Sequence, residues 1–195
     1  MNETLEYYNT YASEFTADTQ NCDMTEKYMP FLDRVKAGGH ILDLGCGSGR
    51  DSYQFMQRGY QVTAMDGSEA LCRVASELTG LPVHHMLFQD IAWQNEFDGI
   101  WACSSLLHCY KDELPTVLQK VADSLKPGGT LYVSFKYGNF EGSRNGRYFT
   151  NLNEDTLAEL LQKIPELRIL ETAVTGDVRP GREHELWLNV IIEKI

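Results

Sequence analysis

Three alternating glycines directly follow an apolar segment near residue 40, and this pattern could bind a nucleotide-like ligand. The segment reads His40-Ile-Leu-Asp-Leu, and the glycines are Gly45, Gly47 and Gly49. Glycine adopts positive φ and has no Cβ atom, so the main chain can turn sharply and approach a ligand closely. A helix predicted over residues 50–58 would point the free N–H groups of its first turn at a polar or anionic ligand group.

An acidic residue extends this pattern. A second apolar segment, residues 60–65, ends on Asp66, about 20 residues beyond the glycine turn, where doubly wound folds hold a ribose by its hydroxyl groups. The glycine spacing is G-x-G-x-G, so the third glycine falls one residue short of the dinucleotide fingerprint G-x-G-x-x-G. In the alternative interpretation, the glycines only join a strand to a helix and Asp66 only caps the next helix.

Three later motifs accompany the glycine turn. After Leu42 to Gly49 come Phe88 to Ile91, Glu96 to Cys103 and Leu125 to Leu131. In this order they resemble the motifs of the class I S-adenosylmethionine-dependent methyltransferases over roughly residues 39 to 136. The resemblance implies that the protein uses S-adenosylmethionine as its cofactor and transfers a methyl group.

The same resemblance implies a set of cofactor-binding residues. In that family an acidic residue after the third strand meets the adenine amino group, and Asp90 stands at that place. The implied cofactor-binding residues are Asp43, Gly45, Cys46, Gly47, Gly49, Arg50, Asp66, Gly67, Ser68, Gln89, Asp90, Ile91 and Cys103.

An aromatic segment near the beginning of the chain predicts a covering helix. Tyr7, Tyr11 and Phe15 fall on one face at helical spacing. The segment is similar to the N-terminal helix that closes over the cofactor in small-molecule members of the family and contributes a tyrosine hydroxyl. We therefore expect residues 1–36 to form a helical lid with Tyr11 as the cofactor contact. The alternative is an aromatic face packed on the sheet.

The order of the elements indicates an α/β fold. Helices are expected at about 2–17 and 23–36, followed by alternating strands and helices to about residue 136, among them a helix over 112–125. The segments 167–175 and 185–192 predict an antiparallel hairpin. We expect one domain over residues 1–195 with a doubly wound, seven-stranded, mostly parallel sheet that ends in this hairpin. Nicotinamide-binding domains usually lack such a hairpin.

Basic residues cluster in the loops predicted at the carboxyl ends of the strands. In open α/β sheets these loops share one edge, where ligands bind. Arginine offers a planar fork for carboxylate or phosphate, so the cluster predicts an anionic substrate; alternatively, the arginines pair with Glu141, Asp177 or Glu183 and order the loops. The predicted substrate-binding residues are Lys136, Arg144, Arg147, Tyr148, Arg179 and Arg182.

His108 is the predicted catalytic residue. Methyl transfer to a nucleophile that carries a proton requires a base, and histidine titrates near neutral pH. His108 follows the predicted fourth strand, close to the expected position of the methyl group. Alternatively, it forms part of the wall or caps a helix, and Tyr110 or Tyr148 orients the substrate.

Composition excludes several other classes of protein. The net charge of −11 argues against nucleic acid as a partner. Five cysteines without a C-x-x-C pair, no signal peptide and no long apolar segment predict a reduced cytoplasmic protein that does not act at a membrane. The spacing of Cys103, His108 and Cys109 fits no common zinc site, so no metal is expected.

These observations together predict S-adenosylmethionine-dependent methyl transfer to a small, anionic acceptor. Within the superfamily the chain resembles small-molecule enzymes of the tellurite-resistance and thiopurine-like kind. Two alternatives belong to other classes: a catalytically silent S-adenosylmethionine-binding module, and a nicotinamide-dependent oxidoreductase. The glycine spacing and the terminal hairpin disfavour the oxidoreductase, and basic and aromatic loops exceed what a pure binding module needs. The acceptor atom, the pathway and the oligomeric state do not follow from the sequence.

Overall fold

A seven-stranded sheet forms the centre of the protein in a computed structural model that describes residues 3–195. Its strands are β1 (His40–Leu44), β2 (Gln61–Asp66), β3 (His84–His85), β4 (Phe97–Ala102), β5 (Leu125–Lys136), β8 (Leu167–Gly176) and β9 (Leu186–Lys194). The strand order is β3-β2-β1-β4-β5-β9-β8, in which the first five strands run parallel and β9 pairs antiparallel with both β5 and β8. The predicted mostly parallel sheet with an antiparallel terminal hairpin is confirmed.

Seven α-helices flank the sheet within residues 3–195. They are α1 (Glu3–Thr10), α2 (Ala12–Thr19), α3 (Thr25–Leu32), α4 (Arg50–Gln57), α5 (Glu69–Thr79), α6 (Leu114–Ser124) and α7 (Glu154–Leu161). The helix expected at 2–17 is wrong as one continuous element, because the chain bends at Tyr11, which precedes α2 with non-helical backbone angles. Met1 and Asn2, which belong to the expected lid, lie outside the described residues.

The alternation of side chains along β1 divides the core into two layers. Leu42 and Leu44 point into a large apolar cluster that includes the buried stripe of α6. Ile41 points to the opposite face, where it packs with Phe31 and Trp101. All five side chains of the strand are largely removed from water, as expected for a central strand covered on both faces. This packing fixes the position of the glycine turn that follows β1.

The segment after β5 is a hairpin, where the sequence analysis predicted only a loop. Strands β6 (Glu141–Arg144) and β7 (Arg147–Thr150) pair antiparallel across Asn145-Gly146, both at positive φ. A two-residue Asn-Gly loop with these angles favours a hairpin because its twist matches that of the strands. The Asn-Gly pair was the overlooked signal. The hairpin holds α1 through a hydrogen bond of 2.9 Å from the Tyr148 backbone N–H to the Thr4 hydroxyl.

Candidate active site

A cavity of about 250 Å³ opens at the edge of the sheet where the parallel strands end. One side of it is the glycine turn between β1 and α4, residues 45–49, with Asp66 at the end of β2. The opposite side lies beyond β4 and β5 and is rich in charged side chains. The cavity thus lies where ligands bind in open α/β sheets.

Glycine is required at two positions of the glycine turn. Gly45 and Gly47 have φ of 78° and 57°, a region that side-chain-bearing residues rarely adopt. A Cβ atom on Gly45 would lie 2.5 Å from the Cβ atom of Ser105, and one on Gly47 would lie 3.1 Å from the ring of Phe15. The turn is therefore shaped by backbone freedom and by close neighbours, and it presents main-chain atoms to the cavity.

Asp66 fixes the glycine turn and also faces the cavity. Its carboxylate accepts hydrogen bonds from the backbone N–H groups of Gly47, at 2.9 Å, and Ser68, at 2.8 Å. Burial raises the pKa of this carboxyl group. Each carboxylate oxygen keeps lone pairs beyond these bonds, so Asp66 can accept hydrogen bonds from the hydroxyl groups of a ligand.

Helices α1 and α2 cover this part of the cavity. Leu5 lies so close to Gly67 that a Cβ atom there would be 2.7 Å from the leucine side chain. The Asn9 amide oxygen accepts hydrogen bonds from the Ser68 hydroxyl and the Ala70 N–H, at 2.8 and 3.1 Å. Tyr8 and Phe15 line the cavity, whereas Tyr11 is 46% exposed and does not. The structure therefore differs from the prediction that Tyr11 faces the ligand.

We use the name charged wall for Lys27, Lys136, Asp177, Arg179, Arg182 and Glu185 on the far side of the cavity. Arg179 pairs with Asp177 at 2.5 Å, and Glu185 pairs with both Lys136 and Arg182, at 2.5 and 2.6 Å. Three of the five predicted basic residues thus pair with acids, but only Arg179 does so with an acid that the alternative interpretation named, Asp177. Lys136 and Arg182 pair with Glu185 instead.

The pairing nevertheless leaves the charged wall positive. Its four cations face two carboxylates, and Lys27 has no ion pair within residues 3–195. The Lys27 ammonium donates a hydrogen bond of 2.9 Å to the Thr175 hydroxyl, and burial lowers its pKa. An ammonium has three donors, so Lys27 can bind an anion.

Arg147 is a second cation without a carboxylate partner in the described part of the chain. Its guanidinium lies among aromatic rings, with Cζ 4.3 Å from the ring centre of Tyr7 and 5.3 Å from that of Phe149. Its Nε atom is buried and has no hydrogen-bond partner. Cation–π contacts hold the side chain in place while leaving hydrogen-bond donors of the guanidinium for a ligand.

His108 forms hydrogen bonds at both ring nitrogens. Nδ1 lies 2.6 Å from the backbone carbonyl oxygen of Tyr148, and Nε2 lies 2.9 Å from the Tyr8 hydroxyl. Burial lowers the pKa of His108 to about 4, so the ring is neutral at pH 7. Both His108 and Tyr8 line the cavity.

A buried ion pair lies beneath the cavity between the glycine turn and the charged wall. Arg50 donates two hydrogen bonds to Asp51, at 2.6 and 3.0 Å, and Asp51 also accepts from the Tyr28 hydroxyl and the Trp101 indole N–H, at 2.6 and 2.8 Å. These four hydrogen bonds hold the pKa of Asp51 low although burial opposes this. Such a fully bonded carboxylate positions Arg50 rather than offering a free charge.

Thirteen of the residues predicted from the sequence line the cavity. They are Gly45, Cys46, Gly47, Arg50, Asp66, Gly67, Gln89, Cys103, His108, Lys136, Arg147, Arg179 and Arg182. The other eight do not line it: Tyr11, Asp43, Gly49, Ser68, Asp90, Ile91, Arg144 and Tyr148.

Near the glycine turn, three of these eight support their neighbours. Asp43 is buried under the turn and accepts a hydrogen bond of 2.6 Å from the Ser52 hydroxyl. Gly49 caps α4 at φ 81°, where a Cβ atom would lie 3.0 Å from Ala75. Ser68 caps α5 by accepting the N–H of Leu71.

Apart from the exposed Tyr11, the other four of the eight face other partners. Asp90 accepts the Leu87 N–H within a short 3₁₀ turn, and Ile91 is in the apolar core. The Arg144 guanidinium lies 4.3 Å from the ring centre of Phe140, and the Tyr148 hydroxyl donates to Glu141 at 2.7 Å. Their positions in the sequence predicted that these residues lie at the carboxyl edge of the sheet. Their side chains pack against other residues and do not line the cavity.

Sequence reasoning also missed several residues that face the cavity. Tyr8 belongs to the aromatic segment but not to its predicted face of Tyr7, Tyr11 and Phe15, of which only Phe15 lines the cavity. Lys27 carried no signal, because nothing in the sequence shows that α3 lies beside β8. Other side chains missed on the far side of the cavity include Ser134, Thr175, Trp187 and Asn189.

The chain is similar to known methyltransferases in sequence. Residues 41–129 match a family model described as a methyltransferase domain. An uncharacterized methyltransferase of Staphylococcus carnosus is 25% identical over 85% of this chain and 87% of its own length. An O-methyltransferase of Aspergillus sclerotiorum is 32% identical over 66% of this chain. The chain spans about half (51%) of the length of that O-methyltransferase.

Solved structures share the fold over almost the whole chain. One is a 1,6-didemethyltoxoflavin-N1-methyltransferase of Burkholderia thailandensis with bound substrate and S-adenosylhomocysteine; it has a TM-score of 0.71 and 21% identity, and it covers 97% of this chain and 89% of its own. Another is a TehB-like methyltransferase of Corynebacterium glutamicum, with a TM-score of 0.71, 16% identity and 98% coverage of both chains. The solved structures show that the chain shares the fold of such enzymes. The matched domain and the methyltransferase relatives identify the protein as an S-adenosylmethionine-dependent methyltransferase with S-adenosylmethionine as its cofactor.

Proposed function

We propose that this methyltransferase acts on a small molecule that carries a carboxylate or phosphate group. The observation that carries this proposal is the charge of the cavity. The protein has a net charge of −11, yet the charged wall holds twice as many cations as carboxylates. Lys27 has no ion pair within residues 3–195, and neither has Arg147. Charge-assisted hydrogen bonds to an anion are among the stronger polar contacts in proteins.

The glycine turn fits the cofactor. Main-chain atoms of Gly45 and Gly47 face the cavity where a Cβ atom would collide with Ser105 or Phe15. Asp66 offers a carboxylate whose spare lone pairs suit the two hydroxyl groups of a ribose. We assign the cofactor to this side and the acceptor to the charged wall, with α1 and α2 as the lid over both.

The size of the site supports a small acceptor. The cavity of about 250 Å³ lies below the range of ordinary ligand pockets, about 300–1,000 Å³, and this favours a small molecule over a large acceptor. The 1,6-didemethyltoxoflavin-N1-methyltransferase of Burkholderia thailandensis, which shares the fold, also acts on a small molecule. A broad basic surface for nucleic acid would require many more cations.

A panel of acceptors tests the proposal. Purified protein is incubated with methyl-labelled S-adenosylmethionine and with matched hydroxyl, amine and thiol compounds, each with and without a carboxylate or phosphate. We expect transfer to the anionic member of a pair and at least tenfold less to its neutral partner. Lys27→Met and Arg147→Met raise the KM for that acceptor about tenfold each, whereas Lys36→Met, at an exposed site, is the matched control.

Binding of S-adenosylhomocysteine separates the outcomes. If both Met variants bind it as wild type does but lose the preference for anions, the cations recognise the acceptor. Equal rates with charged and neutral acceptors would contradict the anionic class. Binding of the cofactor without transfer to any member of the panel would instead favour a silent binding module.

The cellular location and the partners of the protein are predicted from composition. All five cysteines are free thiols, and no helix within residues 3–195 is long and apolar enough to cross a membrane. The cytoplasmic location and the absence of nucleic-acid or membrane partners stay predictions from composition.

A further inference from the structure

We propose that Tyr8 and His108 form a proton relay, in which the Tyr8 hydroxyl takes the proton of the acceptor while it gives its own proton to Nε2 of His108. This inference rests on the proposed function and deepens it, because it requires an acceptor whose reacting atom carries a proton. A hydroxyl acceptor fits; a thiolate, which is already ionised, does not need the relay. The starting observation is the hydrogen bond of 2.9 Å between the Tyr8 hydroxyl and Nε2, on the wall of the cavity.

The backbone of the β6–β7 hairpin sets the direction of this hydrogen bond. Nδ1 of His108 lies 2.6 Å from the carbonyl oxygen of Tyr148. A carbonyl oxygen only accepts, so Nδ1 must carry the hydrogen. In a neutral imidazole the other nitrogen, Nε2, then has a lone pair and accepts. The Tyr8 hydroxyl is therefore the donor. Arg147 interacts with the Tyr8 oxygen as a hydrogen-bond donor, which leaves one oxygen lone pair for the acceptor in the cavity.

Packing holds both rings in this arrangement. The Tyr8 ring makes edge contacts with Tyr7, Phe15 and His108, with ring centres 5.4, 5.2 and 5.5 Å apart. The His108 ring packs against Phe149 on its other side, at 5.0 Å. A relay needs donors and acceptors already in place, and three aromatic neighbours, one each from α1, α2 and β7, hold the two rings there.

The charges that face the pair come from three elements. The Arg147 guanidinium on β7 lies 5.8 Å from the Tyr8 ring centre, and its positive charge partly offsets the rise that burial causes in the pKa of Tyr8. Asp66 at the end of β2 and Tyr7 on α1 act in the opposite direction. Arg147 also disfavours a protonated His108. Because the pKa of Tyr8 stays above its ordinary value, the hydroxyl passes its proton to His108 as it receives one and does not become a free phenolate. The lowered pKa of His108 lets the imidazole release the proton readily after turnover.

The step balances in protons and electrons. S-adenosylmethionine supplies the methyl group, so a carbon–oxygen bond to the acceptor forms while the carbon–sulfur bond breaks and its electron pair stays on sulfur. The proton of the acceptor hydroxyl moves to the Tyr8 oxygen, and the Tyr8 proton moves to Nε2 of His108. The resulting imidazolium keeps its Nδ1 hydrogen bond to Tyr148 and releases one proton to water.

The first test needs no acceptor. Histidine-labelled protein saturated with S-adenosylhomocysteine is titrated by nitrogen NMR. We expect His108 to carry its hydrogen on Nδ1 and to stay neutral from pH 8 down to about pH 5, since burial holds its pKa at about 4. In Tyr8→Phe the Nε2 resonance shifts because its donor is lost. The relay is overturned if Nε2 carries the hydrogen in the wild-type protein, or if the Nε2 resonance does not change in Tyr8→Phe.

The second test compares two nucleophiles. Tyr8→Phe and His108→Asn are assayed with a catechol carboxylate and with a thiophenol carboxylate at pH 8. We expect each variant to lower kcat for the hydroxyl acceptor about 100-fold, as for loss of a general base, and the double variant to lose no more than either alone, because the two act as one unit. The thiolate keeps its rate within about threefold.

The control is Tyr53→Phe, which keeps the ring and removes a hydroxyl at an exposed site on α4 that does not line the cavity. It leaves both rates unchanged, and all variants bind S-adenosylhomocysteine like wild type. Equal loss with both nucleophiles would overturn the relay and assign Tyr8 a packing role. If the protein methylates only thiols, the relay is overturned and the proposed function stands. If no anionic compound is methylated, the proposed function is refuted, and the NMR titration alone decides the relay.

Discussion

The two sides of the cavity are built in different ways. On the cofactor side, the backbone forms the surface, and two left-handed glycines and one carboxylate fix it. On the charged wall, side chains from α3, β5 and the β8–β9 connection form the surface, and ion pairs order them. A backbone surface tolerates almost no substitution at its glycines. A surface of paired side chains can change its charge and shape while the sheet stays intact, which suits the side that selects the acceptor.

The largest effect is expected at Gly45. In Gly45→Ala the residue must keep φ near 78° with a Cβ atom 2.5 Å from that of Ser105. The turn must move, and we expect affinity for S-adenosylhomocysteine to fall about 100-fold or more, equivalent to about 3 kcal/mol. Isothermal titration calorimetry measures the loss, with circular dichroism to show that the variant is folded.

Gly59→Ala is the matched control for that substitution. Gly59 also has positive φ, 84°, but a Cβ atom there would have no neighbour within 4 Å. We expect a loss of stability of about 1 kcal/mol with unchanged cofactor affinity. A similar loss of affinity in both variants would show that general destabilisation, and not the shape of the glycine turn, lowers binding.

Asp66→Asn is expected to weaken the cofactor side by about 10- to 100-fold in affinity, since hydrogen bonds to charged groups contribute about 1.5–3 kcal/mol. The rate with saturating cofactor should change less than the affinity does. Asp23→Asn is the control, because Asp23 also accepts the N–H of the second residue after it, Thr25, but at an exposed site. Unchanged affinity in Asp66→Asn would remove this carboxylate from the cofactor site.

Acid should destabilise the charged wall selectively. Although burial opposes it, the hydrogen bonds and charge of Arg179 hold the pKa of Asp177 at about 2. A folded-state pKa below the unfolded value of about 4 stabilises the protein above pH 4, by about 2 kcal/mol, and this contribution is lost as the pH falls towards 2. Asp177→Asn should therefore lose about 2 kcal/mol at pH 7 and almost nothing at pH 2.

Urea unfolding at several pH values measures this difference. Asp155→Asn, on the exposed side of α7, supplies the control. The affinity for S-adenosylhomocysteine should stay unchanged in Asp177→Asn. A gap between wild type and Asp177→Asn that is independent of pH would contradict the assignment of the stabilisation to the ion pair.

The smallest effect is expected at Tyr11. Tyr11→Phe keeps the ring contact with Tyr7, at 4.9 Å, and removes an exposed hydroxyl that does not line the cavity. Cofactor affinity and turnover should stay within about twofold of wild type. A tenfold loss would restore the role that the sequence alone predicted for this residue.

Most of the fold followed from the sequence because local signals agreed with one another. Apolar segments of strand length, the glycine turn and the terminal hairpin predict the seven-stranded sheet, and the stripe of Val117, Leu118 and Val121 predicts α6. The errors are also local. The single N-terminal helix breaks at Tyr11, and the turn at Asn145-Gly146 makes a hairpin from a segment too polar to suggest strands.

The site was predictable where the backbone forms it and much less so elsewhere. Residue type and spacing pointed to Gly45, Gly47 and Asp66, and the structure places all three on the wall of the cavity; their roles towards the cofactor stay predictions. Lys27 and Tyr8 face the cavity only because α3 and α1 pack where they do, and no pattern within either helix encodes that packing. Whether a basic residue is free or paired depends on carboxylates distant in sequence, as Lys136 and Glu185 show.

Helix α1 touches both sides of the cavity. Asn9 binds the first turn of α5 beside the cofactor side, and Thr4 binds the backbone of the β6–β7 hairpin. With the cofactor and the acceptor on the sides that we propose, one eight-residue helix covers both of them, and we expect neither to leave while both anchors hold. The kinetic consequence is a shared gate: substrate order, product inhibition and the slow step of turnover should all depend on the opening of this single helix.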